Sequence, residues 1–134
     1  MNKNYNIKKY HFEIYNFDVI YCEYYQSYFQ DLLDVLKKRY KLDYSTIDLL
    51  SDCHGLCYST GNERKFYIFI NLSKNKSKKR FINTLSHEIY HVVEDVKTYF
   101  DLTYQNGKAN ESLAYLIGAI SEKLLYNIIT KRFK

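Results

Sequence analysis

His87 and His91 stand four residues apart in "TLSHEIYHVV", residues 84–93, and Glu88 directly follows the first histidine. On a helix, positions i and i+4 share one face, a turn apart. Two imidazoles so placed can bind one tetrahedral zinc ion. Glu88 is turned about 100° around the helix from His87, beside a metal rather than on it. There it can take a proton from a zinc-bound water, as the general base of metal-assisted hydrolysis. The neighbours Leu85, Ser86, Ile89, Tyr90, Val92 and Val93 are uncharged, as suits a helix buried beneath a site. A shuffled chain of this composition would hold roughly 0.006 such HExxH matches, so the motif is rare enough to test against its context.

Two histidines leave a zinc centre one protein ligand short. After His91 the chain reads VVEDVK, with Glu94 and Lys97 where the HExxHxxGxxH continuation needs Gly and His, so that continuation is excluded. Further on, "NESLAYLIG" puts Glu111 twenty residues after His91, in the first turn of a final helix. A helix–loop–helix hairpin with a loop of about ten residues can return that turn to the first helix. A carboxylate there completes a His87, His91, Glu111 set with the fourth position open. A glutamate in a first turn also simply favours the helix dipole. Beside HExxH, the metal role is the expectation.

The elements that must hold these residues follow from periodicity. "YHFEIYNFDVIYC", residues 10–22, alternates locally at Phe12, Ile14, Val19 and Tyr21 and predicts one or two strands. From Tyr24 the period lengthens. Tyr25, Tyr28, Phe29, Leu32, Leu33, Leu36 and Tyr40 predict an amphipathic helix closed by Lys37, Lys38 and Arg39. "LDYSTIDLLSD" reads as a connection, with at most a short helical turn. "LCYSTGNERKFYIFINL" predicts two strands around a turn at Gly61 and Asn62, the second from Lys65 to Leu72. Ser77 can cap a helix running to Tyr99. A loop turning at Asn106-Gly107 leads to a last helix capped by Asn110, from Glu111 to Arg132, burying Leu113, Leu116, Ile117, Ile120, Leu124 and Ile128. The plan is α+β, one domain over residues 1–134.

Composition narrows the function classes. With 46% hydrophobic and 26% charged residues the chain reads as globular, not disordered. No apolar stretch approaches the length of a membrane span, and the basic, polar first residues lack the apolar block of a secretion signal. An odd count of 3 cysteines (Cys22, Cys53, Cys57) argues against a disulfide framework and for a reducing, cytoplasmic setting. The net charge of +5 is concentrated in "SKNKSKKR" and the C-terminal "KRFK". Such runs could touch phosphates, yet no nucleic-acid-binding signature accompanies them, and a solvated loop and helix start are expected instead. The 16 tyrosines read as core and surface filler. Cys53-His54-Gly55-Leu56-Cys57 has neither zinc nor haem spacing and reads as a buried pair near a hairpin. His11 reads as a strand histidine.

"HEIYH" with a downstream "NESLAY" resembles the gluzincin branch of the zincin metallopeptidases. More narrowly, it resembles the minimal zincin-like proteins of bacteriophages and prophages, with a Thr-rich entry to HExxH and Glu-x-x-Ala-Tyr opening a closing helix. The Glu-x-x-Ala pattern is also similar to the ImmA/IrrE-type peptidases of mobile elements. The specific resemblance covers residues 65–120. It implies a minimal zincin-like domain, a small antiparallel or mixed sheet packed on the HExxH helix and a C-terminal helix. It implies one zinc ion on His87, His91 and Glu111, and Glu88 as base. It implies location in the host cytoplasm or virion if the chain is phage-encoded. Larger gluzincins carry an Asp four residues after the ligand Glu, bracing a ligand histidine; Tyr115 stands there in this chain. Tyr115, Tyr104 and His54 are the candidates for steadying a developing oxyanion. The resemblance also gives "FYIFIN" (Phe66, Tyr67, Ile68, Phe69, Ile70, Asn71) a role as the edge strand to which an extended substrate adds.

The expected function is hydrolysis of peptide bonds in a peptide or protein substrate. The alternative is an inactive zinc-binding structural or interaction protein, such as a phage particle component. The short chain, with little material for the walls of a deep cleft, favours that alternative.

Overall fold

Residues 19–22 and 66–70 are unbroken apolar runs, which is how a strand covered on both faces is written. The computed structural model, which describes residues 4–43, 53–59, 64–101 and 108–133, puts both segments inside one sheet. Strand β1 (Tyr5–Phe12) pairs antiparallel with β2 (Phe17–Tyr24) through a loop in which Tyr15 and Asn16 both take left-handed backbone angles. β4 (Lys65–Asn71) runs parallel to β2, and β3 (Gly55–Ser59) pairs antiparallel with β4. The sheet is therefore mixed, in the order β1-β2-β4-β3.

Side chains of the two central strands alternate between two cores. Val19, Tyr21, Phe66, Ile68 and Ile70 face one side, where they meet Phe81, Leu85, Ile89, Val92 and Val96 of α2 (Lys78–Tyr99). Ile20, Cys22, Tyr24, Tyr67 and Phe69 face the other, against Phe29, Leu32, Leu33 and Leu36 of α1 (Phe29–Tyr40). Each such large side chain contributes about 1.5–3 kcal/mol by leaving water, so the two-sided sheet is the main source of stability. The last helical stretch is α3 (Lys108–Ile120), a π-helical turn (Ser121–Tyr126) and α4 (Asn127–Arg132). It packs Leu113, Leu116, Ile120, Leu124 and Ile128 against the α2 side. The α+β class, the β3–β4 hairpin and the Ser77-capped helix agree with the sequence reading. The Ser77 side chain accepts from the Arg80 N–H.

Several expectations need correction. "FYIFIN" is not an edge strand: β4 has β2 on one side and β3 on the other. The edge beside α2 is β3. Tyr25 and Tyr28 do not lie on the buried helix face but precede it, Tyr25 extended and Tyr28 in a 3₁₀ turn, and both are exposed. The final helix begins at Lys108, which puts Asn110 inside its first turn rather than at its cap. Ile117 is 48% exposed, because it faces a groove between α3 and α2 rather than the core. The connection at 44–52, the turns at Gly61-Asn62 and Asn106-Gly107, and Tyr104 lie outside the described residues. No helix among the described residues is long and apolar enough to cross a membrane.

Candidate metal centre on the HExxH helix

α2 carries polar residues down one flank at Thr84, His87, Glu88, His91 and Asp95, spaced so that all point toward β3 or the solvent beside it. The opposite flank is the apolar stripe that seats the helix on the sheet. With Gly55, Leu56 and Cys57 of β3, His87, Glu88, His91 and Asp95 line a pocket of ≈ 290 Å³.

The two histidines are exposed, with their Nε2 atoms 3.0 Å apart. Two nitrogens bound to one tetrahedral zinc at about 2.0–2.1 Å each stand roughly 3.3 Å apart, so the imidazole pair fits such an ion with only a small spreading. Glu88 is buried at 6% exposure. Burial holds its carboxyl above the ordinary carboxylate range, while His87 and His91 pull the other way. A carboxylate so placed is a better proton acceptor than one in water.

What lets Glu88 lie against the strand is the absence of a side chain at position 55. A Cβ on Gly55 would stand 3.0 Å from Glu88 Oε2 and 2.8 Å from Thr84 Cγ2. The start of β3 is fixed there by a buried hydrogen-bond clamp. Asn75 Nδ2 donates to the carbonyls of His54 (2.9 Å) and Asn71 (2.7 Å). Thr84 Oγ1 donates to Asn75 Oδ1 (2.6 Å), and the Asn71 N–H donates to the His54 carbonyl (3.0 Å). Thr84 thus ties the helix to the strand one turn before Glu88.

Two residues join the site that spacing alone did not reveal. Cys57 Sγ donates to Asp95 Oδ2 at 3.5 Å, and burial together with the Asp95 and Glu88 charges pushes its thiol far up. Cys57 is therefore a neutral wall of the pocket, not a thiolate; it and Cys53 are free thiols and only partly buried, not the buried pair expected. Its strand position, two residues after Gly55 on the same face, was the available signal.

Of the expected site residues, His87, Glu88 and His91 come together. Glu111 lies in the first turn of α3 with an exposed side chain. Among the described residues no third His, Cys, Asp or Glu joins the two histidines in a group shaped to hold a metal. α3 does return to α2, with Leu113 and Ile117 facing Ile89 and Val93 across a groove. Tyr115 is 69% exposed. His54 contributes its backbone carbonyl to the clamp while its side chain is exposed. His11 lies in β1 with Nδ1 2.7 Å from Asp18 Oδ1.

No family model, curated protein or solved structure matches this chain.

Proposed function

We propose that the chain is a minimal zinc-dependent hydrolase of peptide bonds, with His87 and His91 holding the metal and Glu88 as general base; Glu111, exposed in α3 and not grouped with the histidines, would have to move to the ion to serve as third ligand. The observation that carries this reading is the juxtaposition of two imidazole nitrogens at 3.0 Å with a buried, base-shifted carboxylate one residue away. Zinc, when bound, supplies a Lewis acid that polarises the scissile carbonyl and makes a water molecule acidic enough to be used near neutral pH. Glu88 takes the proton of the attacking water and passes it to the leaving amine. The missing side chain at Gly55 leaves that carboxylate room against β3. The sheet edge beside the site belongs to β3. An extended peptide adding to that edge would pass alongside His87, Glu88 and His91.

The decisive experiment is metal analysis of the purified protein and its Glu111→Ala variant, followed by a peptide-library digest with wild type and Glu88→Gln. Expected are one zinc per chain, clear loss in Glu111→Ala, and turnover reduced about 10²–10⁴-fold in Glu88→Gln with zinc retained. A wild type that refuses added zinc ends the reading. Zinc without hydrolysis of any peptide reassigns the site to a structural role.

A further inference from the structure

β2 and β4 are adjacent and parallel, and they end side by side, with Tyr24 paired to Asn71. The helices that follow them leave toward opposite faces, α1 to one core and α2 to the other. In open sheets built from parallel strands, this divergence leaves a crevice beyond the carboxyl ends of the strands, and ligands bind there. Such a crevice is present, with a volume of ≈ 620 Å³, within the range of small-molecule sites. Its floor is braced. The Leu72 N–H donates to the Tyr24 carbonyl at 2.7 Å, and the Gln26 N–H donates to Ser73 Oγ at 3.0 Å.

The walls carry a consistent chemistry. Lys76 comes from the loop before α2 and Arg132 from the end of α4. Arg132 lies with its guanidinium 5.0 Å from the Phe81 ring centroid and 3.9 Å from Glu23 Oε1. Tyr25, 45% exposed, and Phe133 supply aromatic faces. The first turn of α2 has no acidic side chain, and Lys78, Lys79 and Arg80 are exposed there, adding to the positive end of that helix. None of the lining residues is acidic. Lys76, and Arg132 beside its Glu23 partner, bring positive charge from different elements to the crevice, which suits an anion, and the aromatic faces suit a planar ring.

We infer that this crevice binds a nucleoside phosphate, its phosphates on Lys76 and Arg132 and its base against Tyr25 and Phe133. The site is separate from the histidine cluster, which begins ten residues beyond Ser77 on α2, roughly 15 Å along the helix. It does not rest on the hydrolase reading. The basic run that looked like a solvated loop in the sequence is here joined by the chain's other end, which no linear pattern announces.

Calorimetric titration of the full chain with ADP at low salt tests the assignment, with adenosine, inorganic phosphate and an oligothymidylate as comparators. Saturable ADP binding is expected, with adenosine and phosphate each at least about tenfold weaker. Lys76→Glu and Tyr25→Ala each change an exposed side chain, and each should weaken ADP by about tenfold or more while circular dichroism stays unchanged. Phosphate binding as tightly as ADP would overturn the base contact. An oligothymidylate binding more tightly than ADP would make the surface one for single strands instead. Absence of saturable ADP binding, or binding indifferent to both substitutions, would overturn the site.

Discussion

One turn of α2 separates two polar groups that touch the same strand, and they are built on opposite terms. The clamp of Thr84, Asn75 and the His54 and Asn71 carbonyls is buried and its donors and acceptors are matched. The cluster of His87, Glu88 and His91 places a buried carboxylate, held above its ordinary range, beside two imidazoles joined by a 3.0 Å hydrogen bond between their Nε2 atoms. Matched polar burial fixes structure, whereas a carboxylate held above its ordinary range by burial costs stability in its ionised form. The clamp holds β3 in place against the turn of α2 that carries the cluster.

The contrast can be broken by experiment. Asn75→Ala removes the donor to two carbonyls and the acceptor of the Thr84 hydroxyl. It should cost about 2–4 kcal/mol in urea denaturation. A loss well below 1 kcal/mol would mean that water replaces the side chain and the clamp is not structural. Gly55→Ala comes next. Its Cβ must push against Thr84 and Glu88, so a loss of about 1–3 kcal/mol is expected. Retention of full stability there would show that β3 moves freely relative to α2.

Glu88→Gln should act in the opposite direction in the metal-free protein. The folded-state pKa of Glu88 is raised, so its ionised form costs the fold stability at every pH above the unfolded value near 4.3. Gln removes that cost. The melting temperature at pH 7 should rise, and the advantage should fade as pH falls below about 4. A lower melting temperature at pH 7 would erase the distinction between clamp and cluster. The smallest effect concerns Cys22, wholly buried on the α1 side, whose thiol is pushed far up by burial. A raised acid contributes stability that is intact below its unfolded value and lost above it. Unfolding midpoints should therefore hold to about pH 8.5 and decline beyond. Cys57 and Tyr21, also raised by burial, act in the same direction. A midpoint flat to pH 10 would contradict these buried thiols.

The juxtaposition of His87, Glu88 and His91 was legible because their relation is local, fixed by helical spacing alone. So were the cap at Ser77 and the hairpin that ends in β4. The edge role given to "FYIFIN" failed for a reason already present in its letters. Five consecutive large apolar residues need cover on both faces, which only an interior strand receives. The clamp was not legible, because no spacing rule joins Asn71, Asn75 and Thr84 to the start of β3 until that strand is laid beside them. Cys57 and Asp95 are 38 positions apart, and no spacing rule joins them. The crevice beyond β2 and β4 depends on the direction in which two helices leave a sheet, a property of topology rather than of any residue.

The π-helical turn at Ser121–Tyr126 makes the length of the chain itself a structural variable. Such a turn is in effect an α-helix that has accepted one surplus residue, and everything after it is rotated by about 100° relative to an unbroken helix. Arg132 and Phe133 reach the mouth of the crevice after that rotation. Removing a single residue from the turn would restore an ordinary helix and leave both side chains aimed as they are, whereas removing one from the α-helical stretch on either side would swing them by about 100°. In this part of the molecule the number of residues matters as much as their kinds.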